Sequence, residues 1–375
     1  MKYVKLCIIF GCRIVLRGLY LFPVKKNRIY LSSNLGQSIS CNPYYIYQYM
    51  KKKYPGKYEY IWEDINKTDI VEKTVRPGTL KSIFYLLTSK VVISNDGFGS
   101  YIPKRKSQTF INTWHGGGAY KKSGIDFITD QHPVDLKINE ICGKQTDVFI
   151  SSCSKFSEVM AKAKCVSKEK FFEYGMPRND VLINHRNSEI ITKVKKHFEI
   201  ENNKKILLFA PTYRGEEATA SFQSQLDERK CLESLKQRFG GEWVLLVRKH
   251  HFVKEGNFGI GISANDYPDM QELLYAADAF ITDYSSTIWD YSLTFKPGFL
   301  FVPDIEQYGK DRSFYTPPET WAFPLAKDNE ELEQAILGYD EIKAKEKILA
   351  HHHLLGNKET GKATQYVVEK FIISK

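Results

Sequence analysis

The chain has no C-x-x-C pair, no long charge-free apolar run, no low-complexity tract and no internal sequence repeat. Each absence removes a class of protein. The seven cysteines (Cys7, Cys12, Cys41, Cys142, Cys153, Cys165 and Cys231) are odd in number and scattered. That argues against a disulfide framework or a zinc ribbon and for buried cytosolic thiols. Near the N-terminus the longest charge-free stretches are Leu6–Cys12 and Gly18–Val24, well short of the ~20 apolar residues of a membrane-spanning helix. No small-residue cleavage site follows a secretory apolar core, so a signal peptide is not expected. No segment is Pro/Ser-rich enough to read as disordered. No RNA- or DNA-reading motif is present, and nucleic acid is not expected as a partner.

What is present is a globular composition with a basic excess. The 375 residues leave room for roughly two domains. Hydrophobic residues make up 42% and charged residues 26%, and the net charge is +10. That balance suits anionic lipid or phosphorylated substrates without choosing between them. Residues 3–22 are mostly apolar but carry Lys5, Arg13 and Arg17. At ~100° per residue, Lys2, Lys5, Arg13 and Arg17 share an arc of roughly 120°, and Leu, Ile, Val, Phe and Tyr fill the rest. This is the pattern of a helix lying on an anionic membrane surface, with Lys25, Lys26 and Arg28 extending the basic patch. The alternative is a helix docked on the protein's own core.

Strand and helix candidates alternate along most of the chain. Strands are expected at Arg28–Ser32, Tyr58–Trp62, Val91–Ser94, Gln108–Trp114, Asp147–Ser151 and Phe171–Tyr174. After a Lys-rich helix at Ile190–Phe198, a second series follows at Lys205–Phe209, Trp243–Arg248, Ala279–Ile281 and Gly298–Val302. Strands alternating with helices imply parallel sheets with crossover helices. Two such series imply an α/β protein with two Rossmann-like domains facing across a cleft, divided near residues 180–200. The expected division is a surface helix over 1–27, an N-terminal domain over 28–190, a C-terminal domain over 191–345, and helices over 346–375 packing back. Every polar motif then falls at the carboxyl end of a strand, where ligands of open α/β sheets sit.

The most informative segment runs from Ala277 to Asp290. An apolar strand enters the polar turn Thr282-Asp283-Tyr284-Ser285-Ser286, and a helix follows at once. Two hydroxyls and several backbone N–H groups meet at that helix start, which favours a phosphate; an ordinary Ser cap is the other reading. Asp290, inside the helix, either accepts substrate hydroxyls or only complements the dipole. Trp114-His115-Gly116-Gly117-Gly118 ends another strand. Its glycines let backbone approach a ligand, and His115 is a candidate base near neutral pH. Pro211-Thr212-Tyr213-Arg214 offers a guanidinium fork to phosphate. In Arg248-Lys249-His250-His251, strand alternation puts Arg248 and His250 on one face, where they can neutralise a diphosphate. No carboxylate or thiol sits at ligand spacing from these histidines, so a metal is not expected. Arg178 and Asp180, in the turn Gly175-Met-Pro-Arg-Asn-Asp180, either contact ligand or form a hinge. The run His351-His352-His353 is expected to be a solvated helix end.

Taken in order, these motifs resemble the CDP-glycerol glycerophosphotransferases of teichoic acid synthesis. The resemblance covers roughly residues 28–345 and rests on Asn42-Pro-Tyr-Tyr-Ile46, Asn112-Thr-Trp-His-Gly116, Tyr174-Gly-Met-Pro-Arg-Asn-Asp180, Leu208-Phe-Ala-Pro-Thr-Tyr-Arg214, Arg248-Lys-His250 and Ile281-Thr-Asp-Tyr-Ser-Ser286, with Lys296-Pro297 and Asp304-Ile-Glu-Gln-Tyr308 behind them. Each segment alone is weak; the ordered set is specific. Where members usually read Gly-Thr-Pro after the histidine, this chain has Gly116-Gly117-Gly118, which leaves acceptor recognition at that loop open. The resemblance implies a GT-B-like fold, a CDP-polyol donor, no cofactor, no metal in the chemistry, and peripheral attachment to the cytoplasmic face of a bacterial membrane.

The expected reaction is transfer of a polyol phosphate, glycerol phosphate first, from a CDP-polyol to a hydroxyl of a lipid-linked acceptor in teichoic acid or capsular polymer synthesis, releasing CMP. His115 would act as general base. Arg248 and His250 would stabilise charge, Ser285 and Ser286 would hold the donor phosphates with Thr212 and Arg214, and Gly116, Gly117, Arg178, Asp180, Asp283 and Asp290 would complete the substrate contacts. Priming, short-chain extension, a capsule-associated role and full polymerisation stay open, as does the oligomeric state. The alternatives are a GT-B glycosyltransferase using a nucleotide sugar and a non-catalytic membrane-surface binding protein.

Overall fold

The computed structural model describes residues 2–127, 132–184, 188–212, 225–248, 259–311 and 313–374. The chain divides into two compact units, residues 1–117 with 122–180 and 357–375, and residues 118–121 with 181–356.

In the first unit, α1 (Lys2–Leu16) precedes β1 (Lys25–Ser32), α2 (Cys41–Lys53), β2 (Glu59–Glu63), β3 (Thr74–Val75), α3 (Leu80–Thr88), β4 (Ser89–Ser94), β5 (Thr109–Asn112), α4 (Pro133–Gln145), β6 (Val148–Ser151), α5 (Ser154–Ala163) and β7 (Phe171–Glu173). The seven strands are parallel, in the order β3-β2-β1-β4-β5-β6-β7. Helices cover both faces of such a sheet, so its central strands are continuous apolar runs rather than alternating ones. Tyr30, Ile61, Val75, Val92 and Phe110 form one packed cluster. Thr79 starts α3 by accepting the N–H of Ser82, the usual cap chemistry.

A short helix, α6 (Asp180–Ile183), opens where the first stretch of chain ends. In the second unit follow α7 (Ser188–His197), β8 (Lys205–Phe209), α8 (Glu228–Phe239), β9 (Trp243–Val247), β10 (Ile262–Ser263), α9 (Met270–Ala276), β11 (Ala279–Thr282), α10 (Thr287–Ser292), β12 (Gly298–Phe301), α11 (Ile305–Asp311), β13 (Leu325–Ala326), α12 (Asn329–Leu337) and α13 (Glu341–Leu355). The sheet is again parallel, β10-β9-β8-β11-β12-β13. Asp227, Asp269, Asp328 and Asp340 each cap the helix that follows. The core gathers Leu207, Phe209, Leu245, Val247, Ile281 and Phe299 against Leu235 and Ile336. The last helix, α14 (Ala363–Val368), belongs to the first unit.

In each sheet the strand order reverses once, between β1 and β4 and between β8 and β11. Ligands of open α/β sheets bind beyond the strand ends at such a reversal. The run His351-His352-His353 is not the solvated helix end expected of it. His351 and His352 are 4% and 6% exposed, and only His353 faces solvent. Their rings pack on Trp289, so α13 buries the side of the His run that was expected to be wet.

Candidate functional site

In the first unit the ends of β1, β4 and β5 come together around His115. At the sheet reversal Asn34 and Asn95 pair reciprocally: the Asn34 N–H donates to Asn95 Oδ1 at 2.9 Å, and Asn95 Nδ2 to Asn34 Oδ1 at 3.2 Å. The Leu35 N–H donates to Asp96 Oδ2 at 2.8 Å. The backbone carbonyl of Asn95 lies 2.9 Å from His115 Nδ1, and Asp96 Oδ1 lies 3.7 Å from the same nitrogen. A carbonyl can only accept, so Nδ1 carries the proton in the neutral ring and Nε2 keeps its lone pair. The arrangement therefore makes a base at Nε2 with a carboxylate behind it.

The backbone around this ring is strained. Asn34, Leu35, Cys41 and Trp114 all have positive φ, between 50° and 60°. Non-glycine residues hold that conformation only where surrounding structure over-determines it, and such residues cluster at functional sites. Asn42 supplies much of the restraint. Its Nδ2 donates to the carbonyls of Thr113 (3.1 Å) and Trp114 (2.9 Å), and its Oδ1 accepts the Arg178 N–H at 3.0 Å. One buried amide thus ties the start of α2 to the His115 loop and to the 175–180 turn.

Charges of both signs act on His115. Trp114 stacks on the imidazole with ring centroids 4.5 Å apart, and Lys164 Nζ lies 4.3 Å from the Trp114 ring centre. Burial pushes the His115 pKa below its usual value; Asp96 and the Asn95 carbonyl oppose this, while Arg178 and Lys164 add to it. With 47% of the side chain still open to solvent, the ring is a partly wetted base, neutral at physiological pH. Burial also brings Lys164 down to about 8.

Arg178 is 3% exposed and its Nη1 donates to Cys41 Sγ at 3.2 Å. The Asp180 carboxylate accepts the N–H groups of Ala363 and Thr364, both at 2.8 Å, and so caps α14. Gly116 and Gly117 are buried beside His115.

In the second unit the sheet reversal joins the loops after β8 and β11. Asp283, 2% exposed, accepts the Thr212 N–H at 2.9 and 3.0 Å and the Thr212 hydroxyl at 2.9 Å. Beyond it, the N–H groups of Ser285 and Ser286 meet no acceptor among the described residues, while the Ser285 hydroxyl accepts that of Thr287 at 2.8 Å. Helix α10 is only six residues long. What this turn offers an anion is therefore its backbone amides and hydroxyls more than a macrodipole. Asp290 is fully buried and accepts Gln271 Nε2 at 3.1 Å. Arg248 sits at the end of β9, where its Nη1 donates to the carbonyls of Ala264 and Tyr267. Arg214 and His250 lie outside the described residues. Among the described residues, no group of three or more His, Cys, Asp and Glu side chains is placed to hold a metal ion.

Asn42, Asn95, Asp96 and Lys164 carry no role in the sequence reading. Asn42 opens the Asn42–Ile46 motif, and the Asn95-Asp96 pair follows directly on the expected strand Val91–Ser94. Lys164 has no local signal, because only the fold brings it to Trp114.

The sequence matches the family profile described as CDP-Glycerol:Poly(glycerophosphate) glycerophosphotransferase over residues 14–373. It is 31% identical over 374 residues to the teichoic acid poly(glycerol phosphate) polymerase of Staphylococcus epidermidis, covering 92% of this chain and 50% of that protein. It is also 31% identical over 379 residues to the protein of the same name from Bacillus spizizenii, covering 96% of this chain and 95% of that one. The chain thus spans about half the length of the first relative and nearly all of the second. A solved structure of a histidine-to-asparagine variant of the wall teichoic acid polymerase TagF, soaked with CDPG, superposes with a TM-score of 0.80 at 28% identity, covering 100% of this chain and 98% of that one. The two-sheet architecture is GT-B-like, as expected.

Proposed function

The chain belongs to the CDP-glycerol:poly(glycerophosphate) glycerophosphotransferase family, and from that premise we propose that it transfers glycerol phosphate from CDP-glycerol to a hydroxyl of a lipid-linked acceptor in teichoic acid synthesis. The acceptor oxygen attacks the β-phosphorus of the donor. The new O–P bond forms as the bond from that phosphorus to the bridging oxygen breaks, CMP leaves, and the hydroxyl proton passes to Nε2 of His115. The observation that carries this reading is the His115 hydrogen bond: Nδ1 against the Asn95 carbonyl leaves Nε2 as the accepting nitrogen, with Asp96 at 3.7 Å to stabilise the imidazolium once formed.

The second unit is assigned the donor. The free amides of Ser285 and Ser286 and the Thr212–Asp283 clasp at the sheet reversal support it, with Arg248 at the neighbouring strand end and Arg214 and His250 as further phosphate contacts. The first unit is assigned the acceptor. Positioning and charge neutralisation supply most of the rate in phosphoryl transfer.

Helix α1 is assigned to the anionic, cytoplasmic membrane surface. No helix among the described residues is long and apolar enough to cross a membrane. On α1, only Ile9 is buried, while Tyr3, Val4, Ile8, Ile14 and Val15 are exposed, Val15 at 76%. A helix docked on its own core would bury that face.

The test is a donor screen with CDP-glycerol, CDP-ribitol and a panel of nucleotide sugars, scored by the nucleotide released. Release of CMP from a CDP-polyol, with His115→Ala slowing it by about 10²–10⁴-fold, is the expected result. Turnover of a nucleotide sugar alone would replace this reading with a glycosyltransferase.

A further inference from the structure

A cavity of about 550 Å³ opens on the flank of α1 that carries its cations. Arg13 and Arg17 of α1, the segment Lys104–Lys106, and Lys144 and Gln145 of α4 line it, together with the apolar Phe10, Ile14 and Ile141. Six of these side chains are cationic and none is a carboxylate. Lys104 pairs with Asp147, and Lys144 with Glu140. Arg13, Arg17, Arg105 and Lys106 have no carboxylate partner among the described residues. Two of these are fixed by neutral groups. Arg13 Nη1 donates to the carbonyls of Ser100 and Ile102, both at 2.7 Å. Arg105 donates to the carbonyls of Leu19 and Phe22, at 2.5 and 2.7 Å. Carbonyls orient a guanidinium but leave its charge standing. The cavity is therefore a net positive site in which four cations lack a carboxylate partner among the described residues and two of those four are held in place, and its volume lies within the 300–1,000 Å³ typical of small-ligand pockets.

We propose that this cavity binds the phosphate headgroup of an anionic phospholipid when α1 lies on the membrane. The inference rests on the membrane reading of α1 and makes it specific. Phe10 and Ile14 belong both to the exposed apolar side of α1 and to the lining of the cavity. An interfacial helix sinks its apolar side about 5–10 Å into the headgroup boundary. Phe10 and Ile14 then meet the acyl edge, and the cations that share the cavity with them sit at the level of the phosphates. Arg17 and Lys106 remain to grip the phosphate, while Arg13 and Arg105 set the field.

The experiment is co-sedimentation of the full chain with vesicles of phosphatidylcholine, alone or mixed with phosphatidylglycerol. The double variant Arg17→Gln/Lys106→Gln removes two cations that make no hydrogen bond among the described residues. A control, Lys57→Gln/Lys347→Gln, removes the same charge elsewhere. The proposal expects the pocket variant to bind phosphatidylglycerol vesicles roughly tenfold more weakly than wild type, with the control within about twofold of wild type. Equal loss in both variants, or loss in neither, overturns the pocket while Val15→Asp still abolishes binding and upholds the membrane reading. Failure of the wild type to sediment with either vesicle, or burial of α1 in a dimer seen by light scattering, overturns both.

Discussion

A single hydrogen bond decides what His115 can do. With Nδ1 donating to the Asn95 carbonyl, the reactive nitrogen is the one facing away from the sheet reversal. The ring's protonation is then set by its neighbours. Asp96 favours the imidazolium, and the charge of Lys164, transmitted past the Trp114 ring, disfavours it. A base is active in its neutral form, so activity should fall on the acid side as pH drops through the His115 pKa, which lies below the usual value. Lys164→Met removes a positive charge. It should raise that pKa and move the acid limb of the kcat/KM profile to higher pH, leaving the alkaline side in place. Lys164→Arg should restore the limb; a profile that does not move would show that Lys164 only packs. At this scale the sequence identifies His115 by its glycine-rich strand end but cannot supply its tautomer or its field. Those come from Asn95, Asp96 and Lys164, which lie 20, 19 and 49 residues away.

At the scale of elements, the strands are the most readable part of the molecule. A buried parallel strand reads as a near-continuous apolar run, and WVLLV and GFLF show that directly. The two-residue strands β3, β10 and β13 escape, because they are held by their neighbours and not by their own pattern. Helix α4 escapes as well: its sequence, PVDLKINEICGKQ, has no clear apolar stripe, and only Pro133 at its first turn marks it. The tie between elements is equally hidden. Asn42 reads only as the first residue of a short motif, yet its side chain joins α2 to two distant loops. Asn42→Leu would strand two buried carbonyls and one N–H, a loss of roughly 2–4 kcal/mol. Urea unfolding should show the lower midpoint, and kcat should drop beyond the stability loss because Trp114 would no longer be held at positive φ. Wild-type turnover in a destabilised Asn42→Leu protein would separate the clasp from the chemistry.

Across the whole molecule, acid is the condition that should find its weakness. His351 and His352 sit side by side in α13, bonded through Nε2 to the Tyr120 hydroxyl at 3.0 Å and to the Ser292 hydroxyl at 2.6 Å. Burial lowers both pKa values to about 4, and for His352 the charge of its neighbour adds to this. An unfolded histidine titrates near 6.5. As pH falls below about 6.5 the unfolded chain takes up protons that the folded rings refuse, so stability is intact above that value and drains between about 6.5 and 4. A gap of this size amounts to up to roughly 3 kcal/mol per ring, a large share of the 5–15 kcal/mol of an ordinary domain. The urea midpoint of the wild type should therefore fall steeply over that window. His352→Phe fills the same space against Trp289 without a titrating group and should flatten part of the slope, leaving stability at pH 8 lower only by the lost Ser292 bond. An unchanged slope in that variant would place the acid sensitivity in other groups.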